Sequence, residues 1–425
     1  MSTLPFNKRP NDVFVSYAHT DTPFVDALVR WLRDQAGLRV WLDASQLRAG
    51  DRLAAALSTG LESSRAAVFC VSRQWNQSSW CEDEYNAALQ ERRADRRYRI
   101  IALHLDDAPV PKFLSNARYV EMHRLEADAA ATLLGALVPE PAPWSHGERD
   151  VYLSRSWHGA DAEVADRVCG ALVQTHGFRP IGDAADYAAF SGEDRVPRII
   201  ESCGALVAVA PFRDDAATGF TSKWVVQEVE IARRVGRPYL VFAADGVEID
   251  PALVTTAIGG RAFRLATASD DATLSDALAL LEDEYAPSPR LAYSFFSTSV
   301  RESTQETERA IAVVEQVTAM SCLLGQRLQG QHVQQEIIDR IKNAQFVLAD
   351  VTANHLNALI EAGVARGAGT RLHLICRAPE SGGLHTRFML RDLEMNWYSN
   401  EVEHLGAVHR LARLYRRRVF SPTVT

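Results

Sequence analysis

Ala66-Ala-Val-Phe-Cys-Val71 is six apolar residues without a polar interruption. A strand with one face in water alternates apolar and polar residues, whereas a continuous run belongs in a parallel sheet covered by helices on both faces. The flanking sequence agrees. Upstream, Val13 to Tyr17 is a β-prone run, and Thr22 followed by Pro23 opens a helix with Phe24, Leu28, Trp31 and Leu32 on its apolar face. Gly37 ends that helix. Leu38 to Leu42 is a second strand, Ala44 to Gly50 a loop, and Leu53, Leu57 and Leu61 line the next helix. Downstream, helices around Trp80 to Arg92 and Ala129 to Leu137 alternate with strands at Arg99 to Leu105 and Arg118 to Met122. Strict alternation of this kind predicts an open, doubly wound α/β domain that binds ligands beyond the carboxyl ends of its strands.

That domain is too short to account for 425 residues. Two proline-rich stretches, Pro139 to Gly147 and Ala286 to Arg290, can continue neither a helix nor a central strand and mark boundaries. After each, the chain restarts as it began: Asp12-Val-Phe-Val-Ser16, Asp150-Val-Tyr-Leu-Ser154 and Arg290-Leu-Ala-Tyr-Ser294 are β-prone runs ending in serine. The expectation is α/β throughout, three tandem domains with parallel sheets, at 1–138, 150–285 and 290–425.

The net charge of -8 argues against a nucleic-acid partner, which needs a concentrated basic surface. The one basic stretch, Arg410, Arg413, Arg416, Arg417 and Arg418, reads as a solvated terminal helix with a basic last turn rather than a binding patch. The six cysteines are scattered, form no C-x-x-C pair and read as free thiols, with Cys70 and Cys376 in the core; no metal site is expected. The start of the sequence lacks an apolar signal region, and no stretch approaches the roughly 18 apolar residues of a membrane span, so a cytoplasmic, membrane-free protein is expected.

Ser78-Ser-Trp-Cys-Glu-Asp-Glu84 carries the most chemistry per residue. Ser79 and Glu82 form a capping box, so a helix starts here, with Trp80 and Glu84 four apart on one face. The cap accounts for Glu82, and Asp83 points to solvent. Glu84 is the carboxylate that structure does not explain; the alternative is a solvated helix residue. Trp80 also reads as packing on the sheet, Asp43 as a turn former and Asp51 as a helix cap.

Taken in order, Asp12-Val-Phe-Val-Ser-Tyr-Ala-His19, Val40-Trp-Leu-Asp43, Leu47-Arg-Ala-Gly-Asp51, Gly60-Leu-Glu-Ser-Ser64, Val71-Ser72 and Ser79-Trp80 with Glu84 resemble the successive motifs of a bacterial TIR domain. The resemblance implies a flavodoxin-like fold, self-association into an oligomer or filament, and NAD cleavage by the glutamate that Glu84 matches. NAD is then substrate, and no cofactor is needed. Ser16, Tyr17, Asp43, Arg48 and Trp80 are the residues expected around NAD: Trp80 against the nicotinamide, Asp43 and Ser16 on ribose hydroxyls, Arg48 or backbone amides on the phosphates. A helix N-terminus near Glu84 favours its ionised form. Bacterial TIR enzymes often serve in defence against phage, and the resemblance extends that role to this chain as an expectation.

The second unit is similar in degenerate form. Gly177-Phe-Arg-Pro-Ile-Gly-Asp183 lines up with Gly37-Leu-Arg-Val-Trp-Leu-Asp43, and Trp224 with Glu228 repeats the spacing of Trp80 with Glu84. Pro180 removes a ladder bond, which places that strand at an edge or alters the sheet. Association or ligand sensing is the expected role. In the third unit, Asp350-Val-Thr-Ala-Asn-His-Leu-Asn357 precedes a helix carrying Glu361. Asp350, Asn357 and Glu361 are similar to the functional positions of the nucleoside 2-deoxyribosyltransferase-like fold, which implies a nucleotide pocket and a possible second-messenger partner. An Asp in a turn and a Glu in a helix cap explain the same residues structurally. The sequence thus leads to a regulated NAD glycohydrolase or cyclase; a non-catalytic scaffold and a nucleoside glycosidase working through Glu361 are the alternatives.

Overall fold

The computed structural model describes residues 6, 9–42, 53–77, 80–114, 118–137, 149–156, 158–182, 192–254, 259–265, 271–288, 290–298, 304–328, 332–352, 355–378, 390 and 393–420. Within them the chain is α/β, with three mainly parallel sheets and interleaved helices. Among the described residues, no helix is long and apolar enough to cross a membrane. The chain divides into two compact units: one holds the first and third sheets, the other the second sheet together with the residues from 414 onwards.

The first sheet is built from β1 (Val13–Ser16), β2 (Val40–Leu42), β3 (Ala66–Val71), β4 (Arg99–His104) and β5 (Arg118–Glu121), in the order β2-β1-β3-β4-β5 and parallel throughout. The run Ala66 to Val71 is wholly buried, as its composition requires. Four helices cover the sheet: α1 (Thr22–Arg30), α2 (Leu53–Glu62), α3 (Trp80–Ala94) and α4 (Ala127–Leu137). Asp21 rather than Thr22 is the residue before α1, and Pro23 sits in its first turn. Trp41 stacks on Phe14, ring centroids 4.9 Å apart, and its other face meets α2 at Gly60, where an added Cβ would lie 2.8 Å from the indole. Only glycine lets that helix come so close.

The second sheet comprises β6 (Arg149–Ser154), β7 (Phe178–Gly182), β8 (Ala205–Ala210), β9 (Tyr239–Ala243) and β10 (Arg261–Arg264), with α5 (Ala162–Gln174), α6 (Gly192–Ser202), α7 (Lys223–Arg234) and α8 (Asp271–Glu284). Its parallel part, β7-β6-β8-β9-β10, has the connectivity of the first sheet. Pro180 does lie on the outermost parallel strand. Its free side is closed by an antiparallel strand from the chain's last segment (Arg418–Val419), and the Phe420 amide donates to the Pro180 carbonyl at 2.9 Å. Proline cannot donate, but its carbonyl still accepts.

The third sheet comprises β11 (Tyr293–Ser297), β12 (Ser321–Leu324), β13 (Phe346–Asp350), β14 (Arg371–Arg377) and β15 (Met395–Tyr398), in the order β12-β11-β13-β14-β15, with α9 (Thr304–Thr318), α10 (Val333–Asn343), α11 (Leu356–Gly367) and α12 (Glu401–Ala412). The opening strand therefore starts three residues later than the Arg290 restart suggests. Ser297, not Ser294, ends it. Helix α12 joins this sheet to the first through a small-residue contact: a Cβ on Gly406 would sit 2.7 Å from Gln35 Cβ. Around it Trp31 Nε1 donates to the Val402 carbonyl at 2.8 Å, and Arg413 Nη1 donates to the Gly37 carbonyl at 3.0 Å. His409 Nδ1 lies 3.1 Å from the Ala36 carbonyl. Burial pushes the His409 pKa down to about 3, with Arg413 adding to the effect, so the ring is neutral and donates to Ala36.

The basic C-terminal stretch departs from the sequence reading. Arg413, Arg416 and Arg417 are each 1% exposed. Two of them reach carboxylates at the starts of first strands: Arg413 lies 3.7 Å from Asp12, and Arg417 Nη1 donates to Asp150 at 2.7 Å. Arg65 pairs with the same Asp12 at 3.0 Å and Arg179 with the same Asp150 at 2.6 Å. A buried carboxylate needs such partners, and that need overrides the tendency of arginine to stay in water. Two outcomes are expected. Arg417→Ala should lower unfolding free energy by about 3–5 kcal/mol in urea titration, since it leaves a buried carboxylate short of a partner. His409 should contribute stability at neutral pH that is lost as pH falls from 6.5 towards 3, because the unfolded imidazole takes up a proton that the folded one refuses. Calorimetry at pH 7 and pH 4 should therefore show a smaller drop in Tm for His409→Gln than for the native chain.

Candidate functional site

In each sheet the chain leaves the first strand to one side and returns to the other side of it, so the crevice opens above the carboxyl end of that strand. In the first domain β1 ends there with Ser16, and α3, which follows β3, brings Glu84 over it. Ser16 Oγ donates to Glu84 Oε2 in a short hydrogen bond. Trp75 Nε1 donates to the same Ser16 Oγ at 3.0 Å. An indole N–H can only donate, so Ser16 accepts from Trp75 and its own proton is directed at Glu84.

Trp75 is itself fixed. Its side chain is buried against Phe69, which also meets Tyr85 edge-on, and its amide is held by Ser72 Oγ at 3.1 Å. Ser72 in turn donates to Asp21 Oδ2 at 2.6 Å, at the start of α1. Ser16 is buried and Glu84 half-buried, so the carboxylate sits at the mouth of the crevice rather than in the core. The sequence reading singled out Trp80 and missed Trp75. The signal was Ser72-Arg-Gln-Trp75 directly after an apolar strand, a serine placed to cap the turn carrying the tryptophan.

The remaining expected residues are placed unequally. Tyr17 follows Ser16 and is half-buried. Trp80 opens α3, but its side chain, together with Asp43, Arg48, Ser79 and Asp51, lies outside the described residues. Glu82 and Asp83 are exposed.

The second domain arranges the same positions differently. Glu228 accepts from the Tyr152 hydroxyl at 2.8 Å, and Ser154, the strand-end serine, is buried with no hydrogen-bond partner for its hydroxyl among the described residues. Glu228, Trp224, Pro197 and Ile231 line a cleft of about 1030 Å³. Trp224 is 63% exposed there.

The third sheet repeats the serine–glutamate contact of the first. Ser297, ending β11, donates to Glu361 Oε2 in another short hydrogen bond, and Glu361 lies on the helix after the third strand. A Cβ on Gly325 would come within 3.1 Å of the Glu361 carboxylate and 3.0 Å of Phe295. Burial in these surroundings raises the Glu361 pKa, against the opposing pull of Ser297. Asp350 is buried and spoken for: Tyr398 donates to it at 2.7 Å, and the Thr352 amide at 3.0 Å. Asn357 is exposed on α11, one turn before Glu361. Five cysteines among the described residues are buried and form no disulfide with one another, Cys70 and Cys376 included; burial pushes Cys203 and Cys322 up to about 12.

Comparison with known proteins bears on the residues of the first sheet. Residues 13–134 match the TIR domain. Over 82 residues the chain is 38% identical to the NAD(+) hydrolase PdTIR of Paracoccus denitrificans, covering 19% of this chain and 27% of that protein. It is 37% identical over 81 residues to a Methanobrevibacter olleyae protein named "Probable 2' cyclic ADP-D-ribose synthase TcpO", covering 19% and 24%. The chain thus spans about a quarter of the length of these curated relatives. Among solved structures, the TIR domain of a Toll-related receptor from Hydra magnipapillata aligns at 19% identity over 27% of this chain and 85% of that one, with a TM-score of 0.24.

The raised Glu361 pKa has a testable sign. The folded chain holds that proton above pH 4.5, where the unfolded chain releases it, so stability falls as pH rises through this window. Glu361→Gln keeps an acceptor for Ser297 without the charge. Its Tm should exceed that of the native chain by a few degrees at pH 7, and the difference should vanish near pH 4, as scanning calorimetry would show.

Proposed function

We propose that the TIR domain cleaves the bond between nicotinamide and ribose in NAD, with Glu84 as the carboxylate that meets the ribosyl cation. The observation that carries this reading is the Ser16–Glu84 hydrogen bond at the carboxyl end of β1, with its direction forced by Trp75. Nicotinamide departs from a pyridinium as a neutral ring, taking the electron pair of the C1′–N bond, so no general acid is required. The ribose left behind has oxocarbenium character. One well-placed carboxylate stabilises that charge across the crevice or captures C1′ covalently. Water then adds to C1′ and gives up a proton, yielding ADP-ribose; attack by an adenine nitrogen would yield a cyclic product instead. Ser16 and Trp75 hold Glu84 at one position, so it need not reorganise as the cation forms. Tyr17, Asp43, Arg48 and Trp80 would contribute to the NAD pocket.

The names of the TIR relatives, a hydrolase of NAD and a synthase of cyclic ADP-ribose, favour this substrate. We assign the later domains to control: the second to association or sensing, the third to recognition of a nucleotide. Unrestrained NAD loss would harm any cell that made the protein, which is why a regulator is physically reasonable. An antiphage role belongs to the same proposal.

One observation favours a second reading. Ser297 and Glu361 repeat the Ser16–Glu84 pair, so the third domain could cleave an N-glycosidic bond by itself. A single experiment separates the readings: NAD cleavage by the full chain, followed chromatographically with and without candidate cyclic nucleotides. Glu84→Gln should cut kcat by a factor on the order of 10² or more. Ser16→Ala should lower kcat more than it raises KM, because it frees the carboxylate without removing it. Glu228→Gln and Glu361→Gln should retain the chemical step. Full activity in Glu84→Gln would sink the proposal, loss in Glu361→Gln alone would favour the second reading, and NAD left intact under all conditions would favour a scaffold.

A further inference from the structure

The carboxyl ends of β4 and β5 bring together three side chains that the NAD reading does not use. His104 ends β4 and Glu121 ends β5, opposite each other in register, and His123 follows two residues later. His104 Nδ1 lies 3.0 Å from Glu121 Oε2, and His123 Nε2 lies 3.2 Å from that same oxygen. One ligand atom from each of the three residues falls within 4.8 Å of the others.

The other nitrogen of His104 decides what the cluster is. Nε2 is in short hydrogen-bond contact with the Ala108 carbonyl. A carbonyl only accepts, so Nε2 carries the hydrogen. In the neutral ring this leaves the Nδ1 lone pair aimed at a carboxylate oxygen 3.0 Å away, two acceptors face to face. A proton, on the ring or on the carboxyl, or a metal ion must lie between them. The spacing suits the ion: donors bound to a tetrahedral zinc-class metal at 2.0–2.2 Å stand about 3.3 Å apart. Two of the three separations are already near that value. A backbone carbonyl holding the far nitrogen is also the usual support for a ligating histidine. His123 and Glu121 are about half exposed, with side-chain exposures of 50% and 56%, so both can adjust to a bound ion.

We propose that His104, Glu121 and His123 bind a divalent transition-metal ion of the zinc class, with a further position open to solvent. Two imidazoles and one carboxylate select such an ion over calcium or magnesium, which prefer all-oxygen sites. The ion would clasp the edge strand β5 to β4. It would act separately from Glu84 and does not depend on the NAD reading.

The test is a Co²⁺ titration of the metal-stripped full chain, read by visible absorption, followed by Zn²⁺ competition and calorimetry. The expected result is a tetrahedral Co²⁺ spectrum saturating at one ion per chain, displaced by Zn²⁺, and a higher Tm with Zn²⁺ than with chelator. His123→Asn, at an exposed position where the fold should tolerate it, and His104→Gln should each weaken binding by about tenfold or more. Absence of the tetrahedral spectrum would show that a proton holds the cluster. Undiminished binding in His123→Asn and His104→Gln would place the ion elsewhere. Either result overturns the assignment.

Discussion

A parallel strand cannot turn back on its neighbour; it needs a crossover, and a chain that begins in mid-sheet must cross once to each side. That constraint shapes all three sheets. Each places its first strand between the second and the third, and each leaves a crevice above the end of the first strand where the two crossovers part. The last residue of that strand and the opening turns of the helix after the third strand must meet there, whatever their identity. In the first and third domains the residues that meet are a serine and a glutamate. The topology supplies the meeting point and the sequence supplies its chemistry.

The three glutamates show how much that chemistry varies on a constant frame. Glu84 receives a proton whose direction is set by a buried indole. Glu228 has a tyrosine from inside the first strand as a donor, which shifts the contact away from the strand end. Glu361 keeps the serine but sits close against Gly325, and burial moves its pKa upward. A carboxyl whose pKa is raised is less suited to stabilising a cation, and better suited to donating a proton, than one left at its ordinary value. The same pair of side chains can therefore serve different chemistry, which is why geometry alone does not make the third domain a copy of the first.

Much of the fold was legible because its cause is local. Ala66 to Val71 can be little other than a strand covered on both faces, and the missing N–H of Pro180 marked its strand as an edge or an altered part of the sheet; it is the last parallel strand, closed by an antiparallel one. The site was legible in part. Glu84 stood out because a capping box explained its neighbours, while Trp75 was passed over for Trp80 because nothing local shows that Trp75 reaches Ser16. Ser297 was missed for a related reason: Tyr293 to Ser297 contains two serines, and nothing local says which ends the strand. The cluster of His104, Glu121 and His123 had no sequence signature, since its members come from two strands joined by register rather than by spacing.

The C-terminal arginines illustrate the deepest limit. Five basic residues in a short stretch look like a solvated surface, and by composition that reading is sound. Yet Asp12 and Asp150 each open a first strand in a buried position and need cations, and the chain's final segment delivers Arg413 to one and Arg417 to the other. Removing charges from water costs several kcal/mol per ion, so these pairs add little net stability over apolar residues of the same shape. What they offer is discrimination: an apolar strand slipped by one register would leave a carboxylate buried with no guanidinium in reach, a state far costlier than the native one. On this argument the arginines fix where each first strand begins, and so, one strand length away, where Ser16 meets Glu84.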